Sequence, residues 1–302
     1  MNNFLIVLLG PTGVGKSDIA FQLARHLKCE IISADSRQFF RDMKTGTAVP
    51  PESYLSEIKH HFIGFLPPEE YYSASIFERD VLSLLPELFS RNRIVIMTGG
   101  SALYIDAVCR GIDDIPDVDR AIREKYNNLY REEGIAGLRM ALKILDPVHY
   151  ENVDLRNPKR IIRALEICET TGRPYSSFLT KSERRRDFNI IRLGLTRPRE
   201  ELYERINRRV DQMIAEGLEE EARGLFGKRE LNALNTVGYR EFFDYFEGKT
   251  TKEKAVELIK RNSRRYAKRQ MTWWARDKEI QWFNPEDMQR IISFIEESVR
   301  MI

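Results

Sequence analysis

Residues 8–20, LLGPTGVGKSDIA, constrain this chain more than any other stretch. Gly10, Gly15, Lys16 and Ser17 fit the pattern G-x-x-x-x-G-K-[ST], entered from the apolar run Phe4–Leu9 and left through a helix-like segment. The glycines let the backbone curl so that successive N–H groups point inward at the positive end of the next helix, where anionic oxygens fill the cradle. Lys16 is expected to reach the terminal phosphoryl group and the Ser17 hydroxyl to ligate Mg²⁺. The loop does not say whose phosphate it holds.

Further strand-like runs at 30–34, 93–98 and 190–195 alternate with helix-length stretches, which predicts an α/β fold: a P-loop NTPase-like core of parallel sheet flanked by helices. Ligands of such sheets lie beyond the carboxyl ends of the strands. That rule makes residues 10–17, Asp35 with Ser36, and Gly99, Gly100 and Ser101 neighbours around one site. From Gly111 the pattern turns helical and polar, predicting a small helical insertion over 114–157, its end lying no later than about 185, between core segments 1–113 and 158–302. Long helices are expected at 199–216, with Leu202, Ile206, Val210 and Met213 on one stripe, and at 252–276.

Charge is uneven. Residues 1–155 carry 17 basic and 22 acidic side chains, whereas 156–302 carry 32 and 24. The excess concentrates in windows 156–210 and 249–278, which fits a polyanionic partner as well as solvated helix faces. Cys29, Cys109 and Cys168 are scattered, without metal-site or disulfide spacing, and are expected to be buried thiols in a reducing compartment. The N-terminal apolar run is too short to span a membrane and lacks signal-peptide flanks, so a soluble, untargeted, cytoplasmic protein is expected; its expected oligomeric state is a monomer.

A P-loop NTPase normally has an acid at the end of a second strand to position Mg²⁺. Here that strand ends in Thr98, Gly99, Gly100 and Ser101, which weakens an ATPase assignment. If the cradle instead holds a diphosphate leaving group, its amides, Lys16, Mg²⁺ and cations such as Arg205, Arg208 and Arg209 would stabilise the departing charge. Asp35 could then take the acceptor's proton as general base, or simply cap the next helix.

Eight blocks follow one another over nearly the whole chain: GPTGVGKS, ADSRQFFRDMKTGTAVP, HHFIGF, TGGSALYIDAV, NPKRIIRALEICETTGRP, LTRPREELYERINRRVDQMIAEGLEEEARGLF, NTVGYREFFDYFEG and RRYAKRQMTWWARD. In content and order they resemble the bacterial tRNA dimethylallyltransferases, also called tRNA isopentenyltransferases. The resemblance implies transfer of a dimethylallyl group from dimethylallyl diphosphate to N6 of the adenosine at tRNA nucleotide 37, next to the anticodon, with Mg²⁺. It assigns Gly10, Pro11, Thr12, Gly13, Val14, Gly15, Lys16, Ser17 and Arg209 to the donor diphosphate. Asp35 resembles the general base, and Asp35, Ser36, Arg37 and Gln38 the segment that meets the target adenosine. Ser101 stands where the family usually has Thr, a hydroxyl for a hydroxyl near the reacting groups. Arg123 in the inserted domain, and Lys159, Arg160, Ile161, Ile162 and Arg163 beyond it, resemble tRNA-contacting positions. Phe40 and Gly64 depart from the family's usual Tyr and Asp.

An anticodon-loop partner gives the basic windows a function, with Lys159, Arg160, Arg163, Arg264, Arg265, Lys268 and Arg269 pairing with phosphates. A flipped base needs side chains to hold it, and Gln38, Phe39, Tyr239 and Arg240 are the candidates. Trp273, Trp274 and Trp282 are expected to be core, and His60 and His61 to make structural hydrogen bonds. The competing assignments are an adenylate isopentenyltransferase acting on AMP, an ATP-dependent small-molecule or nucleotide kinase, and an RNA-binding protein with an inert loop.

Overall fold

The computed structural model describes residues 2–113, 115–116, 118–180 and 184–301. Contacts divide the chain into Met1–Arg110 with Arg185–Ile302, and Gly111–Arg184. In the first unit a sheet of six strands contains β1 (Phe4–Leu9), β2 (Ile31–Ser33), β3 (His60–His61), β4 (Ile94–Thr98), β5 (Asn189–Leu195) and β6 (Gln281–Phe283). Their spatial order is β3-β2-β4-β1-β5-β6, and every pairing is parallel. β1 therefore sits centrally, with Val7 opposite Met97 on one side and Arg192 on the other. The two outermost strands, β3 and β6, were not expected: at two and three residues they are too short to show a period of two.

The uninterrupted apolar run of β1 reflects burial on both faces. Phe4, Ile6 and Leu8 pack with Ile19, Ala20 and Leu23 of α1 (Lys16–Leu27) and with Ile291, Ile295 and Val299 near the C-terminus. Leu5, Val7 and Leu9 point the other way, into a core that α2 (Glu52–Glu57) does not enter but α3 (Ala74–Arg91) fills with Phe77, Val81 and Leu85, and α4 (Ala102–Arg110) with Ile105 and Val108.

The second unit is helical: α5 (Arg120–Leu145), α6 (Pro147–Asn152) and α7 (Pro158–Thr171). Its core is Tyr126, Leu138, Leu142, Ile161, Ile162, Ala164 and Leu165, so α7 packs on α5. A boundary at 157 would have left α7 with the sheet; the packing carries the unit to Arg184. Asp114, the expected first residue of the insertion, lies outside the described residues. Gly134, at φ 66° and ψ −158°, breaks α5 into two helical segments. α7 has a complete set of end signals: Asn157 accepts from the Arg160 N–H, Pro158 opens the helix, and Gly172 closes it in the left-handed conformation.

The chain returns to the first unit through β5, and after it come α8 (Arg199–Ala215), α9 (Leu218–Leu225), α10 (Tyr239–Phe246), α11 (Lys252–Trp274) and α12 (Met288–Met301). The expected stripe on α8 is real: Leu202, Ile206 and Val210 are buried and Met213 partly so. Trp274 is buried and Trp282 packs over Gly194, but Trp273 is exposed and donates its Nε1–H to Asp106, so it does not belong to the core. All three cysteines are free and buried. Among the described residues, no helix is long and apolar enough to cross a membrane.

Candidate active site

The loop between β1 and α1 turns through Gly10, Gly13 and Gly15 at φ 150°, 81° and 108°. Gly13 is required twice over, because a Cβ there would also lie 2.8 Å from Cγ1 of Ile206. α8 lies against the loop and grips it with arginines one turn apart. Arg205 Nε donates to the Gly13 carbonyl at 3.1 Å, and Arg209 Nη1 to Thr12 Oγ1 at 3.0 Å. Arg197, just before α8, donates Nε–H to the Val14 carbonyl at 3.1 Å. Arg208 faces solvent.

Lys16 donates Nζ–H to the carbonyls of Gly10 and Pro11, at 2.7 and 2.9 Å. Burial, with repulsion from Arg209, lowers its pKa from 10.5 to about 7 against the attraction of Asp35. Burial also lowers the Arg209 pKa, again opposed by Asp35. Lys16, Arg209 and Asp35 are thus within electrostatic reach of one another. Ser17 is exposed in the first turn of α1, where its hydroxyl can meet a ligand-bound cation.

The loops after β2 and β4 join edge to edge. Ala34 N–H donates to Thr98 O at 2.7 Å and Ser101 N–H to Ala34 O at 3.2 Å, and Gly99 sits so close to the Ala34 backbone that no Cβ fits. Ser101 Oγ accepts from the Ser36 N–H and bonds its hydroxyl, both at 2.9 Å. Asp35 Oδ1 accepts from the Arg37 N–H at 3.1 Å, which makes it a turn residue and leaves Oδ2 facing Gly100. The three segments nominated by the strand-end rule do come together. Two residues of α11 that the sequence did not single out, Tyr266 and Gln270, stand among them. Their spacing of four, with buried Ala267 between, is the signal that could have found them amid the surrounding arginines.

Several expected contacts are redirected. Gln38 is buried; its carbonyl accepts from Ser33 Oγ at 3.0 Å, and its amide donates to Thr47 O and Ala48 O, both at 3.1 Å. Phe39 lies inside an aromatic cluster with Phe65, Tyr72, Phe77 and Tyr104. Tyr239 is fully buried with its hydroxyl on Glu221 at 2.7 Å, so it packs the fold and cannot meet a base. Ile161 and Ile162 likewise belong to the helical core, because helical periodicity turns them inward while Lys159 and Arg160 face solvent. Arg163 is half-buried and pairs with Glu166 at 3.6 Å; Arg123 pairs with the same carboxylate at 2.8 Å. Arg240 is exposed, and Arg37 donates to the carbonyls of Asn232 and Ala233. His60 bonds the Ile58 carbonyl and His61 the Glu30 carboxylate, the structural roles expected of them. Phe40 is buried, and Gly64 adopts the left-handed φ of 58°, a conformation that glycine takes without a Cβ penalty.

This is a P-loop α/β protein in which Asp35 after β2 and Ser101 after β4 stand at the phosphate cradle, with no acid at the end of β4. Residues 38–277 match the IPP transferase family model. The chain is 51% identical to tRNA dimethylallyltransferase 1 of Bacteroides fragilis, covering 98% of both proteins, and 52% identical to tRNA dimethylallyltransferase 2 of Parabacteroides distasonis, covering 98% and 99%. Its fold resembles the crystal structure of the full-length tRNA isopentenylpyrophosphate transferase of Bacillus halodurans, with a TM-score of 0.73, 34% identity and coverage of 100% and 98%. It also resembles a eukaryotic dimethylallyltransferase captured acting on tRNA, with a TM-score of 0.81, 25% identity and coverage of 99% and 80%. The chain belongs to the IPP transferase family.

Proposed function

We propose that this chain, as a cytoplasmic monomer, transfers a dimethylallyl group from dimethylallyl diphosphate to N6 of the adenosine at nucleotide 37 of tRNA. The new bond joins N6 to C1 of the donor, the C1–O bond to diphosphate breaks, and the proton from N6 passes to Asp35. Residues 10–17, Lys16 and Arg209 hold the diphosphate and take up the charge that develops on it. Ser101 and Ser36 orient the acceptor beside Asp35, and Lys159, Arg160 and Arg240 offer exposed cations for the tRNA phosphates.

The observation that carries this reading is the meeting of the Asp35 and Ser101 loops beside a phosphate loop whose lysine and arginine feel the Asp35 charge. Mg²⁺ fits this arrangement as a partner of the diphosphate. No group of three or more His, Cys, Asp or Glu among the described residues could hold a metal by itself, while Ser17 supplies one oxygen and the donor's phosphates the others. When bound, the ion would neutralise part of the diphosphate charge. Three free thiols agree with a reducing compartment.

Incubation with labelled dimethylallyl diphosphate and either an anticodon stem-loop or AMP tests the proposal. Label is expected on the stem-loop adenosine; label on AMP alone would overturn it, as would phosphorylation by ATP without prenyl transfer.

A further inference from the structure

We propose that Gln270 is a positioning residue for this reaction: a strut on α11 that sets the separation between the donor-diphosphate loop and the acceptor loops of Asp35 and Ser101. The proposal rests on the transfer reaction described above. Gln270 is buried, and its amide is used at both ends. Oε1 accepts from the Thr12 N–H at 2.9 Å, while Nε2 donates to the Gly100 carbonyl at 2.8 Å.

An amide suits this place because it offers an acceptor and a donor from one planar group. An ionised Glu would have no donor for Gly100, and Met would leave both loops without their buried partner. Each anchored residue is itself fastened to the chemistry. Thr12 is held on its other side by Arg209 through Oγ1. Gly100 precedes Ser101, and a Cβ at Gly100 would lie 3.5 Å from Asp35 Oδ2 and only 2.7 Å from Gln270 Nε2, so carboxylate and amide flank the same glycine. One turn back on α11, Tyr266 donates its hydroxyl to the same Gly100 carbonyl at 3.1 Å.

In a displacement at carbon, N6 must approach in line with the departing oxygen. Residues 10–17 place that oxygen, and Asp35, Ser36 and Ser101 place the amine. A bridge tied to both loops therefore acts on their alignment, and a misplacement of about 1 Å costs on the order of 100-fold in rate.

The test is single-turnover prenyl transfer by wild type, Gln270→Met, Gln270→Glu and Tyr266→Phe, with KM for dimethylallyl diphosphate and Kd for the stem-loop measured alongside. Wild type must transfer label; if it does not, the reaction reading falls and the strut falls with it. With wild type active, both Gln270 variants are expected to lose about 100-fold in kcat, with KM and Kd within about threefold. Tyr266→Phe, which loses one hydrogen bond, should lose about fivefold. A folded Gln270→Met with wild-type kcat, or one whose defect lies in KM alone, overturns the strut while leaving the reaction intact. Should neither Gln270 variant fold, Tyr266→Phe decides: an unchanged kcat overturns the proposal.

Discussion

Lys16 is the residue on which opposing forces act most plainly. Its pKa of about 7, against 10.5 for the free side chain, means that between these values the folded chain binds fewer protons than the unfolded chain. Its contribution to stability is therefore fully present above pH 10.5 and is lost as pH falls through 7. The difference in unfolding free energy between wild type and Lys16→Met, from urea titrations at pH 7 to 10, is expected to move in favour of wild type as pH rises. Diphosphate in the cradle supplies the anion that favours the charged form, so ligand should flatten this dependence. In the proposed reaction Asp35 takes the proton, so Asp35→Ala is expected to retain stem-loop binding within about twofold and to lose 10²- to 10⁴-fold in single-turnover transfer, about the worth of a general base. Turnover at the wild-type rate would refute that role.

At the scale of elements, two glycines have different reasons to exist. Gly13 lies where α8 presses on the phosphate loop, so Gly13→Ala meets both a left-handed backbone and the Ile206 side chain. It should cost about 1–2 kcal/mol from the backbone alone, and weaken diphosphate binding in calorimetry as the loop shifts off α8. Gly134 has nothing within 4 Å of its would-be Cβ, but its φ of 66° and ψ of −158° lie in a region that essentially only glycine occupies, so Gly134→Ala should cost about 1–3 kcal/mol from the backbone alone and leave binding of diphosphate unchanged. Thermal unfolding with and without diphosphate separates the two. α8 also shows why a basic window in a sequence overstates the cations open to RNA. Arg197, Arg205 and Arg209 are spent on the phosphate loop, two of them on backbone carbonyls, and only structure reveals which arginines in and just before that helix face inward.

Over the whole molecule, tRNA affinity is expected to fall steeply with salt, because each phosphate paired with Lys or Arg releases counterions. Arg160→Ala should weaken stem-loop binding at low salt and reduce the slope of log Kd against log salt by about one, with single-turnover kcat unchanged at saturation. Filter binding at several salt concentrations measures both. The sequence by itself determined the phosphate loop, the central strands, the stripe of α8 and the trio of loops at the strand ends, because glycine spacing and hydrophobic period are local properties. It named Asp35 and Ser101 through motif order. What only the tertiary structure decided is which polar and aromatic residues are used up inside. Tyr239 turned to Glu221, Phe39 into the aromatic cluster, Ile161 and Ile162 into the helical core, and Gln38 onto the 47–48 backbone, whereas Gln270 came from far along the chain to join two loops of the site. The physical reason is that a side chain's role depends on the partners that desolvate it, and those partners lie too distant in sequence for any local pattern to encode.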